Sequence, residues 1–167
     1  QFLADFYWGD LDILLLDLPP GTGDIAISTA QLLPNAEIIV VTTPQIAAAE
    51  VAIRAGMMAT LISQRIAGVI ENMSAVTCEK CGEEMALFGE GGGLKVSTEL
   101  TKATEKDVPM LGKIPFDVRI REGGDEGLPL PISNPDAPSV IVMNEIVEQL
   151  LKNSQRSLAG KVLKLAK

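Results

Sequence analysis

The chain has 167 residues, of which 47% are hydrophobic and only 4% aromatic, and its net charge is −8. That length supports one domain with a real core, which must be aliphatic and alanine-rich. The acidic balance argues against nucleic-acid binding through a basic face, and no apolar run approaches the roughly 20 residues that span a bilayer. The absence of histidine removes Ser-His-Asp and Cys-His nucleophilic chemistry, together with imidazole metal ligation. No signal peptide is visible, so the expected compartment is the cytoplasm.

In chain order, Gln1 to Asp10 carries Phe2, Phe6 and Tyr7 at helical spacing, which predicts the end of a helix stopped at Gly9. Ile13 to Leu16 is a continuous apolar run closed by Asp17, the pattern of a strand buried on both faces of a parallel sheet. An acid at such a strand end stands where open α/β sheets handle ligands. Pro19 and Pro20 stiffen the following loop, Gly21 and Gly23 let main chain approach a ligand, and Asp24 suits the cap of a helix from Ile25. A strand-end carboxylate, a rigid loop and a helix N-terminus together can seat Mg²⁺ and a terminal phosphate. The plain alternative is an ordinary βα turn with an acid in it.

That helix ends near Leu33, and Glu37 to Thr42 reads as a second buried strand. Pro44 starts a helix over Ile46 to Gln64, and Ile66 to Met73 is a third strand whose tail carries Glu71 and Asn72. A loop of about twenty residues, Ser74 to Gly93, follows with no element of its own and is expected to lie open. Leu94 to Lys106 reads as a helix, Val108 to Ile114 as a strand, Asp117 to Pro138 as a short helix with loops, and Pro138 to Ser154 as a last helix. This alternation predicts a doubly wound, mostly parallel α/β sheet with helices on both faces, one domain over residues 1–154 and a basic tail over 155–167. From Lys152 onward there are five basic residues and no acidic ones. Leu158, Val162 and Leu165 share a helical face there, but Gly160 interrupts it and so few apolar anchors bind lipid weakly. Membrane attachment is therefore not expected.

Cys78 and Cys81 stand three apart in the long loop. In an intracellular chain that spacing reads as a metal or redox pair rather than a structural disulfide. A tetrahedral zinc ion or a cubane cluster needs about four thiolates, and this sequence supplies two. The pair is a bare dithiol, half of a site completed by a second chain, or part of a site finished by cysteines outside this sequence. Spacing alone leaves zinc, cluster and redox chemistry open. Asn72, just after a buried strand, has an amide suited to a base edge, and Pro115 to Asp117 could form the opposite wall. A turn asparagine and a helix-capping aspartate are the simpler readings of these residues.

Several motifs, in order, resemble one family. Asp17 to Asp24 (DLPPGTGD), Val41 to Gln45 (VTTPQ), Glu71 to Ser74 (ENMS), the cysteine pair, Phe88 to Gly93 (FGEGGG) and Ile114 to Asp117 (IPFD) are similar to segments of the Mrp/ApbC branch of deviant-Walker P-loop ATPases. These are relatives of the partition and septum-site ATPases, and the resemblance runs from about Trp8 to Leu151. It implies a P-loop NTPase-like fold, with Asp17 in the Mg²⁺ and nucleophilic-water network and Gly21 near the γ-phosphate. It implies that Asn72, Pro115 and Asp117 enclose the adenine of ATP, and that Cys78 and Cys81 bind a [4Fe-4S] cluster shared across a homodimer. The implied function is an ATP-dependent carrier that passes the cluster to apo-proteins, with ATPase activity residing in the full-length protein. Because the chain starts at Gln1 and lacks G-x-x-x-x-G-K-[ST], a first strand and phosphate loop are expected upstream. The second reading is a nucleotide-switched positioning ATPase whose cysteines hold zinc or nothing.

Overall fold

The computed structural model describes residues 3, 5–19, 24–78 and 80–158, with only the backbone of Asp24 and of 154–158. Helix α1 (Asp24–Leu32) leads into strand β1 (Glu37–Thr42), helix α2 (Ile46–Leu61) and strand β2 (Arg65–Asn72). A small pair of strands, β3 (Val76–Thr77) and β4 (Glu84–Met85), precedes helix α3 (Gly92–Thr104) and strand β5 (Met110–Ile114). Helices α4 (Val118–Glu126), α5 (Leu130–Ser133) and α6 (Pro138–Leu158) complete the described chain.

The sheet order is β1-β2-β5, with both pairings parallel. Two consecutive strand–helix–strand units generate it, since parallel neighbours require a crossover. β2 is central, and its buried stretch from Ile66 to Val69 carries apolar residues without alternation, as a strand covered on both faces must. α2 buries a stripe of small residues, Ala49, Ala52, Gly56 and Ala59, which lets it lie close to the sheet and to α3. The resulting core joins these residues to Val40, Ile66, Val69, Val96, Leu100 and Val108. It is aliphatic and alanine-rich, as the composition requires. α6 lies along β5, where Ile146 packs on Gly112 and Gln149 donates to the Leu111 carbonyl at 3.2 Å. This is the doubly wound, mostly parallel α/β architecture.

Five sequence expectations are corrected. Ile13 to Leu16 is not a buried strand: no strand among the described residues pairs with it, and Leu15 is 81% exposed. An apolar run becomes an inner strand only where hydrogen-bonding neighbours and covering helices exist, and none of the described elements supplies them on that side. Between this segment and the outer edge of β1 lies an apolar trough of about 720 Å³. Val41, on that edge strand, is 59% exposed. The described part of Gln1–Asp10 forms turns rather than a helix end, although Gly9 does adopt the left-handed conformation expected of a stop. The Ser74–Gly93 segment is not element-free, because β3 and β4 form an antiparallel hairpin within it. α2 ends at Leu61, short of Gln64, and α6 continues past Ser154 to Leu158. Among the described residues no helix is long and apolar enough to cross a membrane.

Candidate functional site

The parallel register brings the C-terminal ends of the three strands level. Thr42 lies opposite Glu71, Glu71 opposite Lys113, and Asn72 opposite Ile114. The pairing continues beyond the strands: Ser74 donates both its N–H (3.0 Å) and its hydroxyl (3.2 Å) to the Ile114 carbonyl, and the Phe116 N–H donates to Ala75 at 2.8 Å. Asn72 and Pro115 are thus neighbours across one strand end. The Oδ1 of Asn72 accepts from the Met73 N–H at 2.9 Å, while its amide nitrogen carries no hydrogen bond among the described residues.

Asp117 caps α4. Its carboxylate accepts from the Arg119 N–H at 3.0 Å, from the Arg119 guanidinium at 2.8 Å, and from the buried Ser139 hydroxyl at 2.8 Å. The Arg119 guanidinium holds the carboxyl below its ordinary 3.8, with Ser139 and the Arg119 N–H adding to the effect and burial opposing it. The side chain is therefore committed to anchoring the segment, which leaves the main chain and Pro115 as the surface that this stretch presents.

Glu71 is the residue whose role the sequence reading missed. It is 1% exposed, yet it is a carboxylate at the end of the central strand. Its Oε2 accepts from the Gly93 N–H at 2.7 Å, and its Oε1 stands 4.0 Å from the Lys113 ammonium. α3 begins without a side-chain cap of its own, so Glu71 supplies one from the neighbouring strand. The approach is close. A Cβ on Gly93 would meet Glu71 at 2.8 Å, and one on Gly92 would meet the Thr43 carbonyl oxygen at 2.6 Å. The glycine run in FGEGGG is needed for this contact, and an acid in an otherwise apolar strand was the available signal.

The cysteines sit on the turn of the β3–β4 hairpin, where Val76 pairs with Met85 and Thr77 with Glu84. The Cys78 N–H donates to Glu83 at 2.9 Å, and the Gly82 N–H returns to the Cys78 carbonyl at 2.8 Å. Gly82 holds φ +74°, a conformation that a side chain would strain. Cys78 is half-buried and Cys81 exposed. Among the described residues no group of three or more His, Cys, Asp or Glu side chains could hold a metal ion, so the dithiol presents two donors and no more. Beside it opens a cleft of about 710 Å³ lined by Val76, Cys78, Lys80 and the Pro115–Arg119 segment. The Phe88 ring lies tilted against the Phe116 ring with centroids 6.2 Å apart, joining the far leg of the loop to that segment.

Asp17 is exposed and lies on the wall of the apolar trough, together with Leu14, Leu16 and Ile70. Gly21 lies outside the described residues. The structure thus brings Asn72, Pro115, Asp117 and the cysteine hairpin to one edge of the sheet.

The family described as ParA, NUBPL iron-transfer P-loop NTPase, matches residues 1–151. The chain belongs to this family. Relatives of this NUBPL-type chain include the "Iron-sulfur cluster carrier protein" of Mycobacterium bovis, 56% identical over 99% of this chain and 43% of its own length. That of Helicobacter pylori is 39% identical over 90% of this chain and 39% of its own. The chain therefore spans about two-fifths of the length of these relatives. Among solved structures, a nucleotide-binding protein of Archaeoglobus fulgidus in complex with ADP is 33% identical, with a TM-score of 0.57 over 78% of this chain and 50% of its own. The cell division ATPase MinD of Pyrococcus furiosus, at 22% identity and a TM-score of 0.53 over 75% of this chain and 46% of its own, shares the fold.

Two predictions concern stability. Glu71→Ala leaves the buried Gly93 N–H unpaired and should cost about 2–3 kcal/mol, whereas Glu71→Gln keeps an acceptor and costs less. Urea denaturation reads the difference, and an alanine variant as stable as the wild type would contradict the assigned contact. Asp117→Ala should cost about 1–2 kcal/mol at neutral pH, the usual loss for an N-cap. Because the folded-state pKa is depressed, the wild-type advantage is full above pH 3.8 and is lost as the pH falls through the folded value. A deficit unchanged in strong acid would contradict this account.

Proposed function

We propose that this chain is the cargo-bearing part of an ATP-dependent iron–sulfur cluster carrier. Two copies hold one [4Fe-4S] cluster between their Cys78 and Cys81 pairs and deliver it to apo-proteins in the cytoplasm. The observation that carries the reading is the donor count: a half-buried and an exposed thiol on one closed turn, with no third ligand gathered among the described residues. Four thiolates satisfy a cubane cluster, and two facing hairpins supply four. The names of the Mycobacterium and Helicobacter relatives support the same cargo. Delivery is then a ligand exchange in which an acceptor thiolate displaces a carrier thiolate, with no change in the oxidation state of the iron. Exposure of Cys81 gives the incoming sulfur its access.

The nucleotide half of the proposal rests on the opposite wall of the same edge. Asn72 offers a free amide N–H to a base, and Pro115 with the Asp117 main chain flanks it. The bound ADP of the Archaeoglobus relative supports a nucleotide in this fold. Asp17 is assigned to the Mg²⁺ and water network and Gly21 to the γ-phosphate. The phosphate loop and its strand, contributed from outside these 167 residues, would fill the trough between Leu14–Leu18 and the open edge of β1. Burying several Leu and Ile side chains there is worth about 1.5–3 kcal/mol each, which makes the trough a strong acceptor for such a strand.

Anaerobic reconstitution of the full-length protein with iron and sulfide tests the cargo. The wild type should retain both, and Cys78→Ala/Cys81→Ala should retain neither. Retention undiminished in the double variant, or a protein that takes up zinc and no cluster, would overturn the proposal.

A further inference from the structure

Both legs of the cysteine hairpin are rooted at Phe116. The leg that enters β3 leaves the sheet at Ser74–Ala75, where main-chain bonds tie it to Ile114 and Phe116. The leg that leaves β4 turns at Ala86–Gly89, closed by the Gly89 N–H on the Ala86 carbonyl at 3.2 Å, and this lays Phe88 on Phe116. Phe116 moves with its neighbours rather than on its own. Pro115 precedes it, and Asp117 follows it with its carboxylate pinned to Arg119 on α4 and to Ser139 on α6. The dithiol turn between the two legs is small: two-residue strands, with Cys78 and Gly82 carrying its internal bonds. So short a hairpin has little stability of its own, and its orientation is set by what its roots hold.

We propose that Phe88 and Phe116 form a clasp through which the Pro115–Asp117 segment positions the two thiols, so that an occupant pressing on that segment shifts the dithiol turn. Resting on the reading above, the occupant is the purine of a nucleotide. The cleft of about 710 Å³ between Cys78 and Phe116 gives the turn room to move as this segment moves. Phe88 is a positioning residue in this arrangement: it touches the far face of the clasp and belongs to neither the thiol pair nor the base-binding wall.

Amide hydrogen exchange on the full-length, metal-free protein, with and without ADP, tests the clasp, with calorimetry run in parallel to establish that ADP binds. In the wild type, ADP should change exchange several-fold at Cys78 and Gly82, whose N–H groups close the turn. In Phe88→Ala that response should vanish while ADP affinity holds, and Phe88→Tyr, which keeps a ring against Phe116, should restore it. ADP binding with no response at Cys78 and Gly82 in the wild type, or a full response in Phe88→Ala, would overturn the clasp and leave the carrier reading standing. Failure of the full-length protein to bind ADP at all would overturn both the clasp and the nucleotide half of that reading.

Discussion

A buried carboxylate at the tip of the central strand governs this edge of the molecule. Glu71 gives up water to accept one short main-chain hydrogen bond from Gly93, with the Lys113 ammonium 4.0 Å from its other oxygen. Burying a carboxylate is costly unless it is paired and hydrogen-bonded, so the contact constrains everything around it. It fixes where α3 begins. The glycines that permit so close an approach fix the path of the preceding chain, and that path carries Phe88 to Phe116. The hairpin bearing the thiols is therefore placed by a chain of contacts that starts in the core rather than by its own two short strands.

Two strand ends meet at this edge. β2 contributes Asn72 and, through Ser74 and Ala75, the root of the hairpin, while β5 contributes Pro115 and Phe116 directly opposite. Asp117 then locks that segment onto α4 and α6. The wall proposed to face the nucleotide and the thiol-bearing turn are consequently built from residues adjacent in space but drawn from separate stretches of sequence. On the far side of β1 the same sheet stops at an apolar trough, with Asp17 on its wall. Under the proposed reading, this face is where the phosphate-loop strand docks.

Much of the scaffold was legible in the sequence because its signals are local. Glu37–Thr42 and the core of β2 are continuous apolar runs, Pro44 marks the start of α2, and Asp117 followed by Arg119 carries the signature of a capped helix. What was not legible depends on partners. Ile13 to Leu16 reads as an inner strand by composition, but a strand exists only where neighbours pair with it, and the described chain offers none. The hairpin escaped notice because two-residue strands leave no periodic pattern. Glu71 read only as part of a strand tail, since nothing in its neighbours announces that Gly93, twenty-two residues later, will bury it.

The account stands or falls on whether two dithiols meet around one cargo. Non-denaturing mass spectrometry of the anaerobically reconstituted full-length protein measures this directly, because it weighs chains and metal together. The account predicts a species of two chains carrying a single four-iron, four-sulfide cluster. A cluster or metal ion retained on one isolated chain would contradict it.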